Sequence, residues 1–196
     1  KAIHDLREQW LKRRPDLKIN LLGIESDKSR YEKAQEQLSS GPGGGTALWA
    51  AIEDTYVQGG VSLLWFNPPY DRIRGAGRTE LSLFQKVKDW PARGTGVLVM
   101  IVPDYVLADV GVGLAVSIER DYQLIGLYRY PEPEHSQFKQ CVLVARRREK
   151  ALSKARLLFP AWAQNPERWP VLPDGAKPVA LLSPTHAVRM HRTKLS

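Results

Sequence analysis

An apolar run, Val61 to Phe66, stops on Asn67-Pro68-Pro69-Tyr70-Asp71, and this break constrains the chain more than any other feature. The run reads as a buried parallel strand. Two successive prolines fix φ twice and donate no backbone hydrogen bond, so ladder pairing must end there and the chain must stiffen. The stiff turn carries an amide (Asn67), proline carbonyls and an aromatic ring (Tyr70). At the carboxyl end of a strand, these groups stand where open α/β sheets hold their ligands.

The chemistry they suit is narrow. An amino group on an aromatic ring needs hydrogen-bond acceptors to hold it. The Asn67 side-chain oxygen and the Pro68 carbonyl could accept its two protons, drawing the nitrogen towards sp³ geometry and freeing its lone pair. Tyr70 offers a face on which such a ring could stack. No charged base is required, and Asp71 is the one carboxylate beside the turn. The plainer alternative is a Pro-Pro turn that merely ends a strand.

With 196 residues, 43% of them apolar, the chain can build one well-cored domain and little more. No apolar run approaches the roughly twenty residues that cross a bilayer, so no membrane partner is expected. A single cysteine, Cys141, excludes an internal disulfide and a cysteine zinc cluster, and fits a reducing cytoplasm. His4, His135, His186 and His191 lack metal-ligand spacing, so no metal site is expected. A formal charge of +8 favours a polyanionic partner.

Along the chain, periodicity predicts a helix over residues 1–13, then a strand from Lys18 to Ile24 ending on Glu25. Ser26 or Asp27 can cap the next helix, Lys28 to Leu38. A carboxylate ending the second strand of a doubly wound sheet accepts bonds from ribose hydroxyls. Glu25 suits that role, and a solvent-facing strand end is the alternative. Gly41-Pro42-Gly43-Gly44-Gly45 follows polar residues and no strand, so it reads as a turn and not as a phosphate-cradling loop. Thr46 to Ile52 reads as a short strand ending on Glu53-Asp54.

Beyond the central turn lies a basic, glycine-containing loop in which Arg72, Arg74 and Arg78 suit backbone phosphates; a merely solvated loop is the alternative. A helix is predicted over Glu80–Trp90 and a strand over Val97–Val102, ending at Pro103. A weak helix follows over 106–119. Tyr122–Arg129 and Gln140–Arg147 read as paired strands joined by a long connection, Tyr130 to Lys139. Residues 151–196, rich in proline, read as a tail or the beginning of a further element, outside the sheet.

Asn67-Pro68-Pro69-Tyr70 resembles the NPPY motif of S-adenosylmethionine-dependent amino-methyltransferases, above all the DNA adenine-N6 methyltransferase family. Gly23-Ile24-Glu25 with Arg30 and Ala34, and the segment GVLVMIVPDYVL from Gly96 to Leu107, are similar to further parts of that family. The resemblance covers about residues 1–148 and follows the gamma-like order, with cofactor motifs before the catalytic one. It implies an α/β fold with a Rossmann-like class I methyltransferase sheet, mostly parallel with its last strand antiparallel. The first strand and the glycine-rich cofactor loop of such a sheet are expected to be missing from this chain.

The resemblance further implies S-adenosyl-L-methionine as cofactor, with Glu25 on its ribose and Glu53 or Asp54 towards its adenine. Asn67, Pro68 and Tyr70 become the catalytic residues acting on an adenine flipped out of DNA. Phe138, or failing it Tyr130, becomes the aromatic packing on that base opposite Tyr70; a hydrophobic anchor for the hairpin is the alternative. Residues 1–148 become the catalytic domain and 149–196 a basic C-terminal extension. Sequence specificity would reside in a separate target-recognition domain or subunit. Two other readings stay open: methylation of a guanine amine in RNA, and a non-catalytic nucleic-acid-binding remnant. The basic charge disfavours a protein amide as substrate.

Overall fold

The computed structural model describes residues 2–40, 43–70, 72–73, 77–109, 113–172 and 188–193. They fall into two compact units, Lys1–Gln58 with Arg189–Ser196, and Gly59–Val188.

In the first unit, α1 (Ala2–Arg13) is followed by β1 (Leu21–Glu25), α2 (Lys28–Ser39) and β2 (Gly45–Trp49). Asp27, and not Ser26, caps α2: its carboxylate accepts the Arg30 amide at 2.9 Å. That bond holds the Asp27 carboxyl below its ordinary range. β1 and β2 pair in parallel, from Leu21 opposite Gly45 to Glu25 opposite Trp49. The glycine segment entering β2 is a shaped turn. Gly43 has φ +89°, and a Cβ there would meet the Ile19 carbonyl oxygen at 2.5 Å, so a side chain is barred twice over. The fully buried Arg7 of α1 clamps this turn, its Nη1 donating to Gly44 O (3.2 Å) and Leu38 O (3.4 Å).

The expected strand from Thr46 to Ile52 ends earlier, at Trp49. Ile52–Asp54 closes a 3-10 turn, in which Asp54 N donates to Ala51 O at 3.1 Å. β3 (Thr55–Gln58) follows and pairs antiparallel with Arg189–Arg192, the last strand of the chain, β10. Residues 189–192 thus form a two-stranded sheet with β3, where the sequence left a tail or a further element open. With four residues and two faces to satisfy, β10 has too short a period for its pattern to be read in isolation.

The second unit is built on a four-stranded sheet. Its strands are β4 (Leu63–Phe66), β7 (Val97–Pro103), β8 (Tyr122–Arg129) and β9 (Gln140–Arg147), in the order β4-β7-β9-β8. Between β4 and β7 lies a small hairpin, β5 (Arg72–Ile73) with β6 (Gly77–Arg78). β4, β7 and β8 run the same way, and β9, inserted between β7 and β8, alone runs against them. β7 is buried along almost its whole length, as a strand covered on both faces must be. β9 alternates buried and half-buried residues, the period-two pattern of a strand with one inner face. A bulge between Leu124 and Gly126 offsets β8 against β9, and a Cβ on Gly126 would run into the Tyr128 ring.

The α-helices described in this unit are, in chain order, α3 (Thr79–Val87), α4 (Asp104–Ala108), α5 (Leu114–Asp121), α6 (Glu134–Phe138) in the β8–β9 connection and α7 (Leu158–Ala163); α4 packs on β7 and α5 on β8. Where a weak helix was expected over 106–119, α4 ends at Ala108 and α5 begins at Leu114, after Gly113 with φ +72°. α7 packs on α4 and α5. Trp169 is 2% exposed, and Arg129 N donates to Pro170 O at 2.9 Å. Of the two readings of this stretch, residues 158–172 follow the further element and not the tail. Their prolines obscured the period, while Phe159, Trp162 and Trp169 supplied the apolar surface.

Candidate functional site

β4 was expected to be buried. Instead Leu63 and Leu64 are half-buried and Trp65 is 40% exposed, because β4 has one described neighbour, β7. Phe66 anchors its end in the core at 4% exposure. Phe66 stands opposite Met100 in parallel register, and the chain then enters the double-proline turn. Pro68 is buried, whereas Asn67 and Tyr70 are exposed. The prolines fix the turn, and the two candidate side chains are exposed on it.

These two side chains are joined. The Tyr70 hydroxyl donates to Asn67 Oδ1 at 2.5 Å, with Ile101 O a longer contact at 3.4 Å. Gln140 Nε2 donates to the Tyr70 oxygen at 3.0 Å. Burial pushes the Tyr70 phenol above its ordinary range, against the Gln140 bond; Tyr130, Cys141 and Glu80 add to the rise. Gln140 begins β9 opposite Pro103, at the carboxyl end of β7. It is separated from Tyr70 by seventy residues, so nothing in the local pattern marked it.

A second polar group adjoins the same end of β7. Asp104 follows Pro103, and its Oδ2 lies 3.2 Å from Nε2 of the buried His135, on α6. The Lys139 carbonyl accepts the Asp104 amide at 2.7 Å. Together these contacts pin the connection that carries Phe138. Phe138 itself is 53% exposed. Tyr130, the second choice for the base-packing aromatic, is half-buried. Of the three arginines, Arg72 and Arg78 stand opposite each other in the β5–β6 hairpin; their side chains and Arg74 lie outside the described residues.

In the other unit, Glu25 ends β1. Its Oε1 accepts the Asp27 amide at 2.9 Å and lies 3.1 Å from Arg30 Nη2. Both contacts fall on one oxygen. Opposite Glu25 in register is Trp49, 48% exposed, with its indole donating to Ser26 O at 3.0 Å. Glu53 and Asp54 do not end a strand as expected. They sit in the 3-10 turn beyond β2, Glu53 exposed and Asp54 half-buried, with Asp54 O accepting Thr193 N at 2.7 Å. Among the described residues, no cluster of three or more His, Cys, Asp or Glu could hold a metal ion, and no helix is long and apolar enough to cross a membrane.

The fold is similar to that of a Listeria monocytogenes protein described as a class I S-adenosylmethionine-dependent methyltransferase, with TM-score 0.58 and 15% identity. The alignment covers 76% of this chain and 50% of that one, so the chain spans about half the length of that relative. A fibrillarin/Nop5p complex aligns at TM-score 0.45 and 10% identity, over 65% of this chain and 71% of the other, too distantly to carry an argument. No curated protein matches the sequence. A family model does, over residues 18–176, well beyond half of the chain. The chain belongs to the uncharacterised methyltransferase family DUF6094.

Proposed function

We propose that this methyltransferase acts on the exocyclic N6 amine of adenine in DNA, with S-adenosyl-L-methionine as donor. The observation that carries the reading is the exposed pair Asn67 and Tyr70, on a proline-stiffened turn at the carboxyl end of β4. Turning the base out of the duplex costs a few kcal/mol of stacking and pairing. Stacking on Tyr70 offsets part of that cost, with Tyr130 or Phe138 as the second ring. Asn67 Oδ1 has two lone pairs, one taken by the Tyr70 hydroxyl. The other, with the Pro68 carbonyl, accepts the amine protons and directs the nitrogen lone pair.

Two places are assigned to the donor: Glu25 Oε2 at the end of β1 to a ribose hydroxyl, and Glu53 or Asp54, in the turn beyond β2, to an adenine amino group. When bound, the donor supplies an electrophilic methyl group on a sulfonium, a reaction that asks the protein for position and polarisation more than for acid–base chemistry. The surplus of cations supports a nucleic-acid substrate, and the arginines of the 72–78 loop are assigned to its phosphates. Target sequence is assigned to a separate recognition domain or subunit.

The test is transfer of labelled methyl to DNA oligonucleotides with and without adenine, with the product identified by mass spectrometry. N6-methyladenine that disappears in Asn67→Ala is the expected outcome. Methyl found on RNA guanine, or transfer that ignores Asn67, would sink the assignment.

A further inference from the structure

Gln140 has no place in the reading above, yet its amide reaches the middle of the proposed amine pocket. Its Nε2 can only donate, so the Tyr70 oxygen 3.0 Å away must accept. The phenol has one proton left to give. Asn67 Oδ1, at 2.5 Å, takes it in preference to Ile101 O at 3.4 Å. The donor sequence therefore runs one way, from Gln140 to Tyr70 to Asn67, and each bond polarises the next.

Direction matters because an asparagine amide has two unlike ends. With Oδ1 held by the phenol proton, the amide presents an acceptor to the pocket. If the amide flips, Nδ2 takes that place and meets the amine with two donors of its own, which repels the target. We infer that Gln140 is a positioning residue for the methyl-transfer site: through the Tyr70 hydroxyl, it locks the Asn67 amide with its oxygen towards the target amine. This rests on the reading of Asn67 as amine acceptor.

The experiment uses the full chain, with Gln140→Leu and Gln140→Glu beside Asn67→Ala. Leucine removes the donor. Glutamate keeps the shape, but as a carboxylate it accepts the phenol proton and turns the relay round. The first readout needs no turnover: ionisation of Tyr70 followed by NMR of ring-labelled tyrosine. Tyr130, Cys141 and Glu80, which also act on Tyr70, are unchanged in all three variants. Gln140→Leu is expected to raise the Tyr70 ionisation pH, since the lost donor favours the phenolate. An unchanged value overturns the relay.

The second readout is methyl transfer to adenine-containing DNA. Gln140→Leu should lower kcat about fivefold to tenfold, the effect of one neutral hydrogen bond, with KM for DNA unchanged. Gln140→Glu should lose as much at pH 8 and recover as acid protonates the carboxylate, which can then donate again. A loss that merely follows melting temperature, or the same deficit for both variants at every pH, refutes the positioning role. If Asn67→Ala keeps normal transfer, the assigned function falls. The Tyr70 titration still decides the relay on its own.

Discussion

Asn67 and Tyr70 divide the proposed work between an acceptor and a ring, and substitutions separate the two. Asn67→Ala removes one preorganised acceptor, which costs on the order of 3 kcal/mol in the transition state, or about a hundredfold in rate. Since Asn67 is exposed, the melting temperature should barely move. A melting temperature that falls while turnover holds would reveal a structural residue instead. Tyr70→Phe keeps the stacking face and loses the hydroxyl that engages Asn67 and Gln140. It should match Gln140→Leu in turnover, and the double variant should be no worse than either alone. Tyr70→Ala should lose affinity for an extruded base as well, read with an oligonucleotide carrying a fluorescent adenine analogue.

α7 is short, and a carboxylate from another helix holds it in place. Glu119 of α5 accepts the backbone amides of Leu157 (2.7 Å), Leu158 (2.9 Å) and Phe159 (3.0 Å). Leu157 takes φ +61° to enter this arrangement. Burial pushes the Glu119 carboxyl up, but the amides of Phe159, Leu157 and Leu158 outweigh it and hold the group below its ordinary range. A carboxyl lowered by folding stabilises the protein above its unfolded value and loses that contribution as pH falls through its folded one. Thermal melts of Glu119→Gln should show a loss of about 1–3 kcal/mol at pH 7 and a shallower decline below about pH 4.5 than the unmodified protein. Trp169, 2% exposed with its indole donating to Trp162 O at 3.3 Å, completes this packing. Denaturant unfolding of Trp169→Ala should show a loss of about 3–5 kcal/mol; a change below 1 kcal/mol would return residues 149–172 to the status of a tail.

Two properties belong to the molecule as a whole. The first is alkaline fragility. Burial pushes the Tyr122 phenol and the Cys141 thiol well above their ordinary ranges. Groups raised by folding stabilise below their unfolded values, about 8.5 for cysteine and 10 for tyrosine. That contribution drains away as pH rises beyond them towards the folded values. Melting temperature should decline steeply above about pH 9. Tyr122→Phe should flatten the decline while giving up the 2.6 Å bond to Lys88 O; an unaltered alkaline limb would show that other groups control it. The second is the response to salt. With a formal charge of +8, affinity for duplex DNA should fall at least about tenfold between 50 and 200 mM salt. An affinity indifferent to salt would argue against phosphate contacts.

What the amino-acid order determines by itself is local. The run ending at Phe66, the two prolines after it, the apolar stretch from Val97 to Pro103 and the paired strands around residues 130–139 were all legible. Each declares itself through period, β-branching or a missing amide proton within a few residues. Glu25 as strand end was visible for the same reason, while the choice of Asp27 over Ser26 as cap was not. Other features depend on register between distant strands, and no local pattern encodes that. Insertion of β9 between β7 and β8 brings Gln140 opposite Pro103, and only then beside Tyr70. The early end of β2 at Trp49, the capture of α7 by Glu119 and the burial of Trp169 likewise follow from which faces the packed helices leave open. The Asn67 amide was in the sequence; its link through Tyr70 to Gln140 came from the closing of the sheet.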